Sequence, residues 1–123
     1  MKCPCNTDKE YKDCCLKAHK NILSVTTAEQ LMRSRYSAFV LANIEYLQKS
    51  HHSSTKPSKR EKKEILAWTK SVEWIKLEVI QSAKGNLNDT EGTVMFKAYF
   101  YENGSLDVIH ENSYFTKEQN HWV

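Results

Sequence analysis

Glycine and proline are scarce in this chain, with 3 Gly and 2 Pro among 123 residues. A collagenous or low-complexity disordered chain is thereby excluded. No glycine-rich phosphate loop is present, neither a Walker pattern nor a Rossmann glycine fingerprint. A nucleophile elbow and a zincin motif are absent as well. No stretch approaches the roughly 18 apolar residues that cross a bilayer. The N-terminus, Met1-Lys2-Cys3-Pro4-Cys5, lacks the apolar run of a secretory signal. A cytoplasmic, reducing compartment is therefore expected, and it weighs against structural disulfides.

Net charge is also small, at +3 formally. It is unevenly spread. Residues 49–70 carry seven basic and two acidic residues, whereas residues 71–123 carry four lysines and eight acids. The basic run Lys56, Lys59, Arg60, Lys62 and Lys63 could meet a phosphate backbone. Glu61 and Glu64 interleave with it at helical spacing, which also makes a solvated, salt-paired face. With 40% hydrophobic and 27% charged residues, the chain has the composition of a soluble globular protein of one core-forming domain.

Periodicity divides the chain into three parts. Residues 1–20 are rich in Cys, Lys and short polar residues and have no apolar repeat. Residues 26–42 have a wide apolar face at helical spacing, with Thr26/Glu29 or Thr27/Gln30 as the capping pair. A short helix is expected at about 43–50, and Ser58 with Glu61 opens a third at about 59–70. After residue 71 the period becomes two. Val72 to Gln81 places Ile75, Leu77 and Val79 on one side, and Thr93 to Tyr101 alternates Val94, Phe96, Ala98 and Phe100. Asn103-Gly104 signals a hairpin, Leu106 to Phe115 the return strand, and His121-Trp122-Val123 a last strand. The expected fold is α+β: a cysteine-rich N-terminal segment, then three helices packed on a curved antiparallel sheet of about four strands.

What the N-terminal part lacks in core it has in cysteine. Cys3, Cys5, Cys14 and Cys15 are the chain's 4 cysteines, and all lie within its first 15 residues. Four thiols this close suit a tetrahedral structural zinc site, closed at four ligands and so without an open position for catalysis. The metal would supply the folding free energy that burial does not. Four thiolates on one Zn²⁺ would lower the formal charge by two, to about +1. Two alternatives stand beside this reading: two disulfides, which need an oxidising compartment, and redox thiols, which usually appear as Cys-x-x-Cys.

The run Cys3-Pro4-Cys5-Asn6-Thr7-Asp8-Lys9-Glu10-Tyr11-Lys12-Asp13-Cys14-Cys15 resembles the SEC-C motif, a zinc-binding module named for the C-terminus of the SecA translocation ATPase. The motif typically has Gly-Ser-Gly after its second cysteine, where Asn6-Thr7-Asp8 stands here. The segment Leu31 to Phe39 is similar to the signature of the YchJ-like family of bacterial SEC-C proteins. Tyr46-Leu47, Trp74 with Leu77, His110-Glu111 and Trp122 extend the match. The resemblance implies a zinc module at 1–20 joined to a nuclear-transport-factor-2-like domain at 21–123, a cone-shaped α+β fold. It also implies a last strand that is short at Val123. The similar module in SecA serves protein and membrane-surface contacts, so a protein partner is implied.

A cone has a cavity, and four polar residues are candidates to line it. Arg35 falls in the middle of the first helix's apolar face, between Leu31 and Phe39. An arginine there needs a partner. A carboxylate bridge to Glu111 or Asp107 is one reading, and an anion-binding group in the cavity the other. Tyr46 is a second candidate. His110 and Glu111 are adjacent on a strand and point to opposite faces, so only one of them reaches the cavity. His51-His52 reads as a polar loop. The leading functional expectation is a non-catalytic protein-interaction or adaptor domain with structural zinc. Small-molecule binding or catalysis in the cavity, and nucleic-acid binding by the basic helix, are the alternatives.

Overall fold

The computed structural model describes residues 1–123. Its N-terminal region is ordered by turns rather than by a long helix. Cys3 donates its amide to Lys9 O at 2.8 Å, and Tyr11 donates to Met1 O at 2.9 Å. A 3-10 turn at Tyr11–Asp13 leads into a short helix, α1 (Cys15–Lys20). A second 3-10 turn, Ile22–Ser24, carries the chain to helix α2 (Ala28–Val40).

The cap of α2 is assembled from two threonines. Thr27 Oγ1 accepts the Gln30 amide at 3.1 Å, while Gln30 Oε1 accepts the Thr26 amide at 2.8 Å. Helix α2 turns through Ala42, at φ +56°, into α3 (Ile44–Lys49), which Asn43 caps. A 3-10 turn, Ser53–Thr55, precedes α4 (Lys59–Ser71). The Ser58–Glu61 capping box of α4 forms in both directions. Three helices thus follow the cysteine region as expected, and α1 is an additional one within it.

Four strands complete the fold: β1 (Glu73–Lys84), β2 (Glu91–Glu102), β3 (Ser105–Glu118) and β4 (His121–Trp122). They pair in sequence order as an antiparallel meander, curled into a half-barrel. The Asn103-Gly104 hairpin has φ of 53° and 80°, the left-handed pair that matches strand twist. Val94, Phe96, Ala98 and Phe100 form the buried face of β2. The first three join Leu31, Met32, Tyr36 and Ala38 of α2 in one core with Trp122.

Strand β1 departs from simple alternation. Register shifts fall between Trp74 and Lys76 and between Val79 and Gln81. Each inserts an extra residue, bending the strand and raising its twist. Trp74 and Leu77, three apart, therefore both pack inward, and Ile75 is 43% exposed instead of sharing their face. No helix is long and apolar enough to cross a membrane.

Candidate functional site

The Sγ atoms of Cys3, Cys5, Cys14 and Cys15 all lie within 4.8 Å of one another. Cys5 and Cys14 sulfurs are 3.5 Å apart, and those of Cys14 and Cys15 are 4.0 Å apart. None is bridged. A tetrahedral ion with metal–sulfur bonds of ~2.3 Å would separate its sulfurs by about 3.8 Å. The four sulfurs therefore fit one shared metal ion, and three of the cysteines are buried.

Local backbone produces this convergence. Asn6 and Asp8 adopt φ of 65° and 63°, the left-handed conformation that Asn and Asp tolerate best after glycine. They occupy the two positions where the motif has glycine. Thr7 between them aims its hydroxyl at both Cys5 and Cys14 sulfurs, 3.3 Å from each. Ser37 of α2 contributes its hydroxyl 3.6 Å from Cys3 Sγ.

The electrostatics of the bare thiols also favour a cation. The Cys15 thiol, hydrogen-bonded to Cys5, holds Cys5 down to about 4 against the cost of its burial. The same bond and burial push Cys15 up, and burial is the main cause that pushes Cys14 up. One thiolate thus suppresses ionisation of its neighbours. A divalent ion at the centre removes that conflict by neutralising the charge where it concentrates.

The cysteine region is bound to the rest of the fold by specific contacts. Arg33 of α2 donates from Nη1 to Cys5 O at 2.7 Å and from Nε to Glu29 at 3.1 Å. Leu77 of β1 donates its amide to Asn6 Oδ1 at 2.8 Å. His19 of α1 bridges Tyr11 Oη at 2.6 Å and Ser34 O at 2.8 Å, with its ring 4.6 Å from that of Tyr46. Burial lowers the His19 imidazole, which favours its neutral form. Ala18 of α1 belongs to the main core. Sequence reasoning missed Asn6, Thr7, His19, Arg33 and Ser37 as supports of the site. Only the Asn/Asp pair at glycine positions carried a legible signal.

A cavity of about 600 Å³ opens between the helices and the sheet. Trp68, Trp74, Tyr36, Phe39 and Phe96 give it an aromatic wall, and Arg35, His51, His52, Glu111 and Ser113 give it polar groups. Arg35 forms no carboxylate bridge. Its Nη1 donates to Leu47 O at 3.0 Å and to Ser50 Oγ at 2.7 Å. Glu111 is exposed and accepts from Ser113 Oγ at 3.3 Å, and Asp107 caps the Val108 amide on its own strand. Neither acid reaches Arg35, because both belong to β3 whereas the guanidinium turns toward the end of α3.

The other candidates lie elsewhere. Tyr46 is buried in the core, its hydroxyl 2.6 Å from Ser34 Oγ, and does not line the cavity. His110 is exposed on the far face of β3, opposite Lys97, so Glu111 is the member of that pair that faces the cavity. Lys56, just before α4, is exposed, as are Lys59, Arg60 and Lys63 at its start, where Lys62 is half-buried. Arg60 pairs with Glu64 at 3.3 Å across one helical turn.

Comparison with known proteins agrees with this architecture. The family described as YchJ, middle NTF2-like domain, matches residues 27–123. A UPF0225 protein of Vibrio parahaemolyticus is 42% identical over 98% of this chain and 70% of its own length. A UPF0225 protein of Streptomyces coelicolor is 38% identical over 98% of this chain and 90% of its own. Among solved structures, a SEC-C motif containing protein from Psychrobacter arcticus superposes with a TM-score of 0.81 at 33% identity, covering 99% of this chain and 78% of that one. One from Rhodopseudomonas palustris gives 0.79 at 30%, covering 99% and 93%. The chain belongs to the YchJ-like, UPF0225 family of SEC-C motif proteins.

Proposed function

We propose that this member of the YchJ-like family is a non-catalytic protein-interaction or adaptor protein whose N-terminal module is held by one structural zinc ion. Cys3, Cys5, Cys14 and Cys15 would be its ligands, residues 1–20 the module and residues 21–123 the cone-shaped domain. The observation that carries the reading is the convergence of four thiol sulfurs within 4.8 Å of one another. Four sulfurs complete a tetrahedron and leave no position for substrate or activated water. A zinc thiolate site also suits the reducing cytoplasm.

The module presents Lys2, Lys9, Lys12, Lys17 and Lys20, all exposed. These side chains are the module's candidates for contacting acidic groups of a protein partner. The experiment is a pull-down with the wild-type chain against a Cys14→Ser, Cys15→Ser variant. Partners retained by the wild type and lost with the metal support the reading. An identical partner set after metal loss would remove the zinc module from binding.

The cavity supports a second reading, small-molecule binding. A pocket of about 600 Å³ falls in the usual size range of ligand sites, and aromatic side chains do not fill it. Titration with small organic ligands, followed by the fluorescence of Trp68 and Trp74 in its wall, tests it. A saturable change is expected, and its absence across chemical classes would count against the reading. The basic run on α4 carries no comparable observation, since its charges are exposed and partly paired within the helix.

A further inference from the structure

Arg35 is a charge whose partner the protein does not supply. Its guanidinium has five N–H donors, of which the structure uses two, both on Nη1. No carboxylate lies within ion-pair distance of it. The remaining N–H groups on Nε and Nη2 are not sealed in protein, because the single side-chain polar atom both buried and unpartnered is Trp122 Nε1. Arg35 lines the cavity. Burial lowers the guanidinium only to about 10, which leaves it charged at neutral pH.

The surroundings define what the free edge would hold. Trp68 and Trp74 use their indole N–H groups on Glu102 and Thr69, at 3.0 and 3.1 Å, so their rings offer the cavity apolar surface. Their centroids are 5.5 Å apart, edge to face. Burial lowers His51, as does the charge of Arg35, and its Nε2 lies 2.9 Å from Thr55 Oγ1. Neither a second arginine nor a lysine lines the cavity. One planar cation beside an aromatic wall matches one planar anion with an apolar body. The two oxygens of a carboxylate match a single guanidinium fork.

We propose that the cavity binds an organic monocarboxylate, its carboxylate held by the free guanidinium edge of Arg35 and its apolar or aromatic body against Trp68, Trp74 and Phe96. The proposal rests on the small-molecule reading of the cavity and names its ligand class. Arg–carboxylate pairs of this kind are bidentate and add orientation as well as affinity. Glu111, exposed at the β3 wall, would disfavour a ligand carrying a second anionic group at that end.

The test uses the full metal-loaded chain and the fluorescence of Trp68 and Trp74. Phenylpropionate and cyclohexylacetate are titrated beside their primary amides and beside phenyl phosphate. The acids are expected to bind roughly 10-fold or more tightly than the amides. In Arg35→Gln, which retains a donor for Leu47 O, that preference is expected to vanish, and its survival would overturn the proposal. Amides that bind as tightly as acids would overturn it and leave the cavity reading standing. A preference for phenyl phosphate would overturn it in the same way. Failure of acids, amides and phosphate alike would remove both. The acid–amide comparison is made on the wild-type chain, so it stands whether or not the variant folds.

Discussion

The side-chain oxygen of Asn6 accepts the backbone amide of Leu77 at 2.8 Å, joining the turn between the second and third cysteines to the middle of β1. Leu77 is 4% exposed and follows a bulge at the sheet's edge. An unpaired amide there would be a buried, unsatisfied donor. One asparagine therefore shapes the cysteine turn through its left-handed backbone and closes a strand edge through its amide.

Replacing Asn6 by Ala is expected to destabilise the fold by about 1–3 kcal/mol, since the Leu77 amide loses its acceptor. Ala at φ 65° adds backbone strain to that loss. Asp8→Gly is expected to act in the opposite direction, by a few tenths to about 1 kcal/mol, because it relieves strain at φ 63°. Lys2 binds Asp8 through the backbone carbonyl, a contact that glycine keeps. Urea denaturation of the two variants checks both signs.

Arg33 anchors Cys5 from α2 by a hydrogen bond to its carbonyl at 2.7 Å. Outer groups that orient metal ligands typically alter affinity by roughly 10–100-fold. Arg33→Met is accordingly expected to weaken zinc binding about 10-fold while leaving the four thiols in place. Competition against a zinc-binding dye measures it. Unchanged affinity would reduce Arg33 to a surface contact with Glu29.

Chelation is expected to be felt beyond the cysteines. Ala18 of α1 lies in the main core, and His19 ties α1 to Ser34 and Tyr46. All three tryptophans lie outside the cysteine region, at 68, 74 and 122. Their thermal transition is expected to fall by at least about 4 °C on metal removal. A tryptophan signal that melts unchanged would mean that the module and the cone are energetically independent.

Zinc binding should release protons. Cys14 and Cys15 are pushed up in the metal-free cluster, by burial and by their neighbours, so they are protonated at neutral pH. Cys5, held near 4, is already ionised. Metal ligation requires thiolates, so affinity falls as pH falls and protons compete with the ion. Calorimetry at pH 7 in buffers of different ionisation enthalpy is expected to show at least the two protons of Cys14 and Cys15 leaving per zinc bound.

What could be read from the sequence was local. The Ser58–Glu61 box and the Asn103-Gly104 turn each act within a few residues and form as read, and the four cysteines, close in sequence, converge in space. The bulges of β1 were illegible, because alternation of Ile75, Leu77 and Val79 looks regular until the strand must bend around a core. The partner of Arg35 was misread for a related reason. Charge matching in sequence suggested Glu111 or Asp107, whereas the chain folds the guanidinium onto Leu47 O and Ser50. Contacts such as Asn6 to Leu77, 71 residues apart, depend on the assembled fold and leave no periodic trace.

X-ray absorption at the zinc edge of the purified full chain tests the central claim most directly. The account predicts one zinc per chain in a shell of four sulfurs at ~2.3 Å, lost in a Cys5→Ser, Cys14→Ser variant. A shell containing oxygen or nitrogen, or a native chain with no bound metal and its cysteines paired as disulfides, would contradict it.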